Sequence, residues 1–157
     1  MSNSIGEILR ITIFGASHAE SVGVIIEGVP QGITLNPSIF TEDINRRRPA
    51  VQGETTRHEE DIPHIEGLDS EHKTTGERIT ITIPNNNRRS TDYSHLMNHP
   101  RPSHADLVQI RKYGREYDIA GGGIASGRMT APLVAAGVVA KQIIKEARFM
   151  TRLVEVG

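Results

Sequence analysis

Residues 101–128, RPSHADLVQIRKYGREYDIAGGGIASGR, contain the residue types best suited to chemistry: a histidine, several arginines and three consecutive glycines. A helix-compatible apolar run follows directly. Glycines before a helix let the backbone approach a ligand, and the helix N-terminus offers unpaired N–H groups to an anion. Arg128 adds a guanidinium that can bind phosphate or carboxylate. The segment therefore predicts an anion site; the alternative is that Gly121, Gly122 and Gly123 only form a tight turn.

Two histidines are candidates for proton transfer, because the imidazole titrates near neutral pH. His18 follows a predicted strand in a turn of small residues, where a ligand would have room. His104 lies near Arg101 and Asp106 in sequence, but two positions along a helix do not share a face. The alternative for both is an ordinary surface-loop histidine.

Three consecutive arginines, Arg46, Arg47 and Arg48, close a predicted helix. Cations there complement the helix dipole, so a solvated helix end is one explanation. The other is a basic pocket for phosphates or carboxylates. Arg88 and Arg89, from the long polar loop Asn85–Pro100, could join such a pocket.

Several classes of site lack their sequence signatures. His58 is followed by three acidic residues, Glu59–Asp61, and His64 and His72 lie nearby in sequence. No HExxH or comparable spacing is present, so we expect no metal site. A GxxxxGK[ST] phosphate loop is absent, and no GxGxxG follows a strand into a helix, so a Rossmann nucleotide site is unsupported.

Length and composition narrow the remaining possibilities. The chain has 157 residues, enough for one domain, and a net charge of −1, which does not favour nucleic-acid binding. The absence of cysteine excludes disulfides and thiolate chemistry and is compatible with the cytosol. We expect no signal peptide and no membrane span. With 36% hydrophobic and 4% aromatic residues, the core should be small and aliphatic, so we expect the chain to need another subunit or a missing part.

The elements that position these residues follow from hydrophobic periodicity. Strands are predicted at Ile8–Phe14, Val22–Ile26, Asp61–Gly67, Arg78–Pro84 and Arg152–Val156. The segment Ile79–Ile83 (ITITI) should place its isoleucines on one face and its threonines on the other.

Three helices are predicted between these strands. The first starts at Asn36, as N-cap, and Pro37 and runs to about Arg47. The second is capped by Ser103 and runs through Tyr113 to a stop at Gly114. The third and longest is Thr130–Arg148, with an apolar surface from Leu133, Val134, Gly137, Val138, Ile143 and Ile144.

A series of short motifs matches one known family in order and spacing. The matching segments are Phe14–His18, Gly23–Gly32, Asp43–Pro49, Thr55–Arg57, Glu59–Asp61, Thr74–Gly76, Arg89–Tyr93, Arg101–Asp106, Lys112–Gly114, Gly121–Gly123, Ser126, Arg128, Thr130–Ala131 and Val134–Lys141. Together they resemble chorismate synthase, over essentially the whole chain. The resemblance implies an α/β fold, a sandwich of sheets with long helices. Residues 1–157 would be its N-terminal part, because family members are more than twice this long.

The resemblance also implies a reaction. Chorismate synthase is a lyase of the shikimate pathway that converts 5-enolpyruvylshikimate-3-phosphate to chorismate and phosphate by 1,4-anti elimination. It requires reduced FMN without net redox change, and some members reduce the flavin with NADPH. A cytoplasmic homotetramer is implied. The alternative is a truncated, non-catalytic module of the same family that binds an anion or FMN or serves assembly.

Residue roles carry over position by position. His18 matches the histidine that protonates the leaving phosphate, and His104 the one that protonates reduced flavin. Arg47 matches a contact to NADPH or phosphate. Ile124, Ala125 and Ser126 match positions that contact FMN. Arg46, Arg48 and Arg128 are candidates for binding substrate or phosphate because of their own charge rather than through a family match. The chain departs from the family at Ala16 and Ala19, where glutamate and glycine are usual, and at Ile124 and Ala125, where arginine and serine are usual.

Overall fold

An antiparallel five-stranded sheet forms the centre of the computed structural model, which describes residues 3–48, 59–86, 96, 98–114 and 117–155. Its strands are β1 (Ser4–Ile5), β2 (Arg10–Gly15), β3 (Ser21–Glu27), β4 (His64–Glu66) and β5 (Ile79–Pro84). The spatial order is β1-β2-β3-β5-β4, so β3 and β5 pair at the centre although a long segment separates them in the chain. The strands predicted at Ile8–Phe14, Val22–Ile26 and Arg78–Pro84 are confirmed with small shifts at their ends.

The core lies against one face of this sheet. The alternation predicted for ITITI is confirmed, because Ile79, Ile81 and Ile83 are fully buried while the threonines between them are partly exposed. Val24 on β3 stands opposite Ile81 on β5 and is also fully buried. Side chains at directly paired positions point to the same face, so the two strands jointly form the floor of the core.

Three α-helices accompany the sheet: α1 (Thr41–Arg47), α2 (Asp106–Tyr113) and α3 (Thr130–Ile143). Helix α3 packs on β3 and β5 and on α1. Its buried positions are Ala131, Pro132, Ala135, Ala136, Val138 and Val139. A short 3₁₀ helix, Pro37–Phe40, leads into α1, and another, Gly127–Met129, leads into α3 after a turn at Ala120–Ala125 whose glycines are not helical.

The start of α1 is confirmed in position but not in its capping bond. Pro37 occupies the first position of the 3₁₀ helix, as predicted, but the Asn36 side chain makes no capping hydrogen bond. The end of α1 at Arg47 and the stop of α2 at Gly114, which has φ +88°, are confirmed. The prediction that Ser103 caps α2 is wrong, because that helix begins at Asp106 after a turn in which Ser103 has φ +61°.

Three further predictions need correction. The strand predicted at Asp61–Gly67 is only His64–Glu66, since Asp61 turns away with φ +51°. Helix α3 ends at Ile143, not Arg148, and Leu133 and Ile144 are exposed, not in its buried face. Residues 152–155 of the strand predicted at Arg152–Val156 are irregular and exposed, because a strand is stable only when paired; Val156 lies outside the described residues.

Some predictions fall where the structure gives no description. Arg88, Arg89 and His58 lie outside the described residues, as does most of the predicted loop Asn85–Pro100. Among the described residues, none of the helices combines the length and apolar character that crossing a membrane requires.

Candidate functional site

The turn that carries His18 connects β2 to β3. It is closed by a backbone hydrogen bond from the Ala19 N–H to the Ala16 carbonyl, at 3.2 Å. Ser17 is buried and His18 is half-buried. The Ser17 N–H donates to the carbonyl of Gly123, also at 3.2 Å. The turn therefore rests on the glycine segment that precedes α3.

The three glycines all adopt backbone angles that other residues rarely take. Gly121, Gly122 and Gly123 have φ of +57°, +90° and +55°. A Cβ atom on Gly121 would lie 2.4 Å from Cδ2 of the His18 ring, which is closer than real contacts allow. The glycines thus form a turn and also allow the imidazole to approach the backbone closely. The tight turn is therefore confirmed, and the anion site stays a prediction.

Arg128 follows the glycines and is buried, with 7% of its surface exposed. Its Nε donates to Oδ1 of Asn85 at 2.9 Å, its Nη2 to the carbonyl of Pro84 at 3.2 Å, and its Nη1 to Asp61. Its backbone N–H donates to the hydroxyl of Ser126 at 3.3 Å, which caps the last 3₁₀ turn before α3. Every nitrogen of the guanidinium therefore has a protein partner.

Asp61 is shared by two arginines. It is 3% exposed and accepts from Arg128 and, at 2.5 Å, from Nη1 of Arg47. Burial lowers the pKa of Arg47; the neighbouring Arg128 and Arg48 lower it further, while the Asp61 carboxylate opposes them. One buried carboxylate thus binds two guanidinium groups, and the third, that of Arg48, is close enough to Arg47 to act on its pKa.

Two donors of this cluster are unpaired. Within the part of the chain that the structure describes, the Nε atoms of Arg47 and Arg48 are buried and have no hydrogen-bond partner, although Nη2 of Arg48 donates to the carbonyl of Glu60. A cavity of about 330 Å³ is lined by Arg48, Asp61 and Asn45 among others. Buried donors are rarely left unpaired in proteins. The arrangement is chemically suited to an anion.

Arg46, the first of the three arginines, is placed differently. Its side chain is 72% exposed and forms an ion pair with Asp43, one helical turn back, at 3.8 Å. Asp43 also accepts from Lys141 on α3 at 2.7 Å. The structure therefore brings Arg47, but not Arg46, to the Asp61 carboxylate.

His104 is exposed and lies two residues before α2. Beside it, the Arg101 guanidinium holds the buried Asp106 carboxylate with two hydrogen bonds, of 2.8 and 2.9 Å. These bonds lower the pKa of Asp106 against the opposing effect of burial, and His104 adds a small contribution in the same direction. The pair anchors the segment that carries His104 to the start of α2.

Ile124 and Ala125 line a second cavity, of about 390 Å³, together with Ile13, Gln109 and Tyr113. The walls are mainly apolar, with one aromatic side chain, Tyr113, and the polar residues Asn3, Ser4 and Gln109. Apolar walls with a few polar groups are the usual composition of a small-molecule pocket. Among the described residues, no group of three or more histidines and acids could hold a metal ion.

Comparison with known proteins decides the family. The family model for chorismate synthase matches residues 9–156. The chain belongs to the chorismate synthase family. A chorismate synthase of Chitinophaga pinensis is 52% identical over 143 residues, and one of Methanobrevibacter smithii is 41% identical over 160 residues. These alignments cover 90% and 100% of this chain but 43% and 44% of the relatives.

A solved structure confirms the fold class. A crystal structure of chorismate synthase matches 89% of this chain and 35% of its own length, with a TM-score of 0.62 and 27% sequence identity. The α/β architecture predicted from the resemblance is therefore correct. The chain matches the N-terminal portion of chorismate synthases and spans less than half the length of these relatives.

Two residues that organise this portion of the chorismate synthase fold escaped the sequence analysis as site residues. Asp61 was assigned to a strand, and Asn85 only to the start of a polar loop. Both are buried polar groups that bind Arg128. Their signal in the sequence is weak: a polar residue directly after an apolar strand, or at the end of an acidic run, is common in loops.

Proposed function

We propose that this chain is the N-terminal part of an enzyme that converts 5-enolpyruvylshikimate-3-phosphate to chorismate and phosphate in the shikimate pathway. In this 1,4-anti elimination the carbon–oxygen bond to phosphate breaks and a ring proton leaves. A new carbon–carbon double bond forms, with no net oxidation or reduction. The observation that carries the proposal is that, in a chain of this family, His18 packs on the triple glycine. Arg128, which follows the glycines, is joined through Asp61 to Arg47.

The roles of the chain's own residues follow from their chemistry. His18 is half-buried against backbone and would donate a proton to the departing phosphate. Arg47 and Arg48, which have unpaired buried donors, would bind substrate or phosphate charge. Arg128, which donates a hydrogen bond to Asp61, would contribute its fixed positive charge to the site. His104 would hold the proton needed at the flavin.

In this proposal the cavity beside Ile124 would take the flat ring of FMN. Its lining by Ile13, Ile124 and Tyr113 supports this, because apolar and aromatic side chains suit a heteroaromatic ring. Bound reduced FMN would lend an electron transiently to the elimination. Ile124, Ala125 and Ser126 would contact it, and NADPH is a possible reductant. We further propose a cytoplasmic homo-oligomer, a tetramer as the family implies.

Anaerobic phosphate release tests the proposal. Excess reduced FMN and 5-enolpyruvylshikimate-3-phosphate are incubated with the chain alone, and with the chain fused to the remaining portion of the Chitinophaga pinensis relative. Release above a no-protein control by either form supports the proposal. Absence of release from both forms refutes it, and FMN binding without release would instead identify a non-catalytic binding module.

A further inference from the structure

The side chain of Asn85 joins two parts of the candidate site that are far apart in the sequence. Asn85 directly follows β5 and is 5% exposed. Its Nδ2 donates to the carbonyls of Ala16 and Ala19, at 3.1 and 2.9 Å. Its Oδ1 accepts from Nε of Arg128 at 2.9 Å. Both amide hydrogens and the amide oxygen are therefore used.

The backbone of Asn85 adds a third connection to the same turn. Its N–H donates to the carbonyl of Glu20 at 2.9 Å. The turn between β2 and β3 is thus held at Ala16, Ala19 and Glu20 by one residue. Only His18 and Ser17 stand between the two carbonyls that the side chain binds.

An amide suits this place better than other side chains of similar size. The turn offers two carbonyl acceptors, and Arg128 offers a donor, so the group between them must donate twice and accept once. A carboxylate would accept from Arg128 but repel both carbonyls. A hydroxyl has only one proton to donate, and an apolar side chain would leave buried polar groups unpaired.

We propose that Asn85 is a positioning residue that fixes the His18 turn to the Arg128 guanidinium. Through it, a continuous series of hydrogen bonds runs from the His18 turn to Arg128, Asp61 and Arg47. The proton donor and the anion-binding cluster are held in one relative geometry. This inference rests on the proposed function for its catalytic meaning but makes a structural claim that can be measured without turnover.

Three variants test it. Asn85→Asp is nearly isosteric, keeps an acceptor for Arg128 and loses both donations to the turn. Asn85→Ala loses the acceptor as well. Asn86→Asp makes the same chemical change one residue along, where the side chain is exposed and the hydrogen bond to Glu59 comes from the backbone N–H, and it is the matched control.

Amide hydrogen exchange is the first measurement. Both Asn85 variants should speed exchange of the Ser17 and Ala19 amides by about tenfold or more, because the turn opens locally. The amides of Val24 and Ile81, in the central strands, should change by less than about threefold. Wild-type exchange at Ser17 and Ala19 in Asn85→Asp would overturn the proposal. Equal acceleration at all four amides would also overturn it, since Asn85 would then act only on global stability.

Kinetics of phosphate release provide the second measurement, in whichever form of the enzyme releases phosphate. Both variants should lower kcat by about 10- to 100-fold while KM changes by less than about threefold, because a misplaced acid affects the transition state more than binding. Wild-type kcat in Asn85→Asp with a defect only in Asn85→Ala would overturn the role of the turn and leave only the Arg128 contact. Should neither form release phosphate, the proposed function fails, and amide exchange alone decides the role of Asn85.

Discussion

The backbone at Gly121 lies close to the His18 ring. The absence of a side chain at Gly121 is required by the imidazole rather than by the backbone alone, since a Cβ would lie 2.4 Å from the ring. Gly76 has φ of +92° but open space around it. Comparing an alanine substitution at each of the two glycines therefore separates the cost of backbone strain from the cost of a steric clash.

Gly121→Ala should displace the His18 ring and destabilise the fold by about 2–4 kcal/mol, the sum of left-handed strain and overpacking. Gly76→Ala should cost only about 1–2 kcal/mol from strain. Urea unfolding measures both costs, and the NMR shift of the His18 ring protons reports displacement. An unchanged His18 signal in Gly121→Ala would contradict the close contact.

Substitution of the candidate acids tests their chemistry directly. His18→Ala and His104→Ala should each lower the elimination rate by about 10²- to 10⁴-fold, the usual contribution of a general acid. His64→Ala, at an exposed position on β4, is the matched control and should leave the rate unchanged. Phosphate release under anaerobic, reduced-flavin conditions is the measurement. A wild-type rate in either variant would remove that histidine from the mechanism.

The sequence singles out candidate residues for the site but not the contacts between them. His18 and the glycines were singled out separately, and the structure brings them together. Asp61 and Asn85 were not singled out as site residues, because their importance depends on Arg128, which lies more than forty residues further along the chain. Local patterns carry no information about which buried polar groups will meet across a fold.

Among the strands and helices, sequence patterns were sufficient to predict those elements whose buried residues follow the expected periodicity. Ile79, Ile81 and Ile83 specify β5 because alternate side chains of a strand face the same side. The strand pattern at Arg152–Val156 failed because its described residues, 152–155, pair with no other strand of the described chain. The capping prediction at Ser103 failed because this residue lies in a turn with a positive φ. Helix α3 also buries alanines that periodicity did not rank, such as Ala135 and Ala131.

Helix α2 depends on one buried charge. The Asp106 carboxylate has a lowered pKa because Arg101 hydrogen-bonds it. Its contribution to stability is therefore fully present above the unfolded pKa of about 4 and is lost as pH falls through the lower pKa of the folded state.

Asp106→Asn should lower the free energy of unfolding at pH 7 by about 1–3 kcal/mol, since it weakens charge-assisted hydrogen bonds to a buried partner. The variant should also lose less stability than wild type as the pH falls below about 4. Urea titrations across this range measure both effects. Asp118→Asn is the control, because Asp118 is exposed at a helix start and lacks an arginine partner among the bonds described. Parallel pH curves for wild type and Asp106→Asn would contradict the assignment.

For the whole molecule, the exposed apolar surface is the feature that most affects behaviour in solution. Phe149, Met150, Leu153 and Val154 are 65–94% exposed. Clustered apolar exposure of this kind promotes association. The expectation that the chain needs another subunit or a missing part stays a prediction, and these side chains offer a way to test it.

Replacing Met150, Leu153 and Val154 with serine should reduce concentration-dependent self-association, measured by sedimentation velocity. The free energy of unfolding should stay within about 0.5 kcal/mol of wild type, because exposed side chains contribute little to stability. Ile8→Ser, at a 91% exposed position away from this segment, is the control and should reduce association less. A large loss of stability in the triple variant would show that these side chains are buried.

The central pairing of β3 with β5 also has a kinetic consequence. Residues 28–78 separate the two strands, so their ladder forms only after that whole segment has closed into a loop. The β2–β3 hairpin can form early, within about 1–10 microseconds. The buried face of the sheet is incomplete until β5 pairs with β3. Asp61 and α1 belong to the looped segment, and Asn85 is the first residue after β5. The bonds of Asp61 to Arg47 and Arg128, and the hydrogen bonds of Asn85 to the His18 turn, therefore form only in the slow, non-local step of folding.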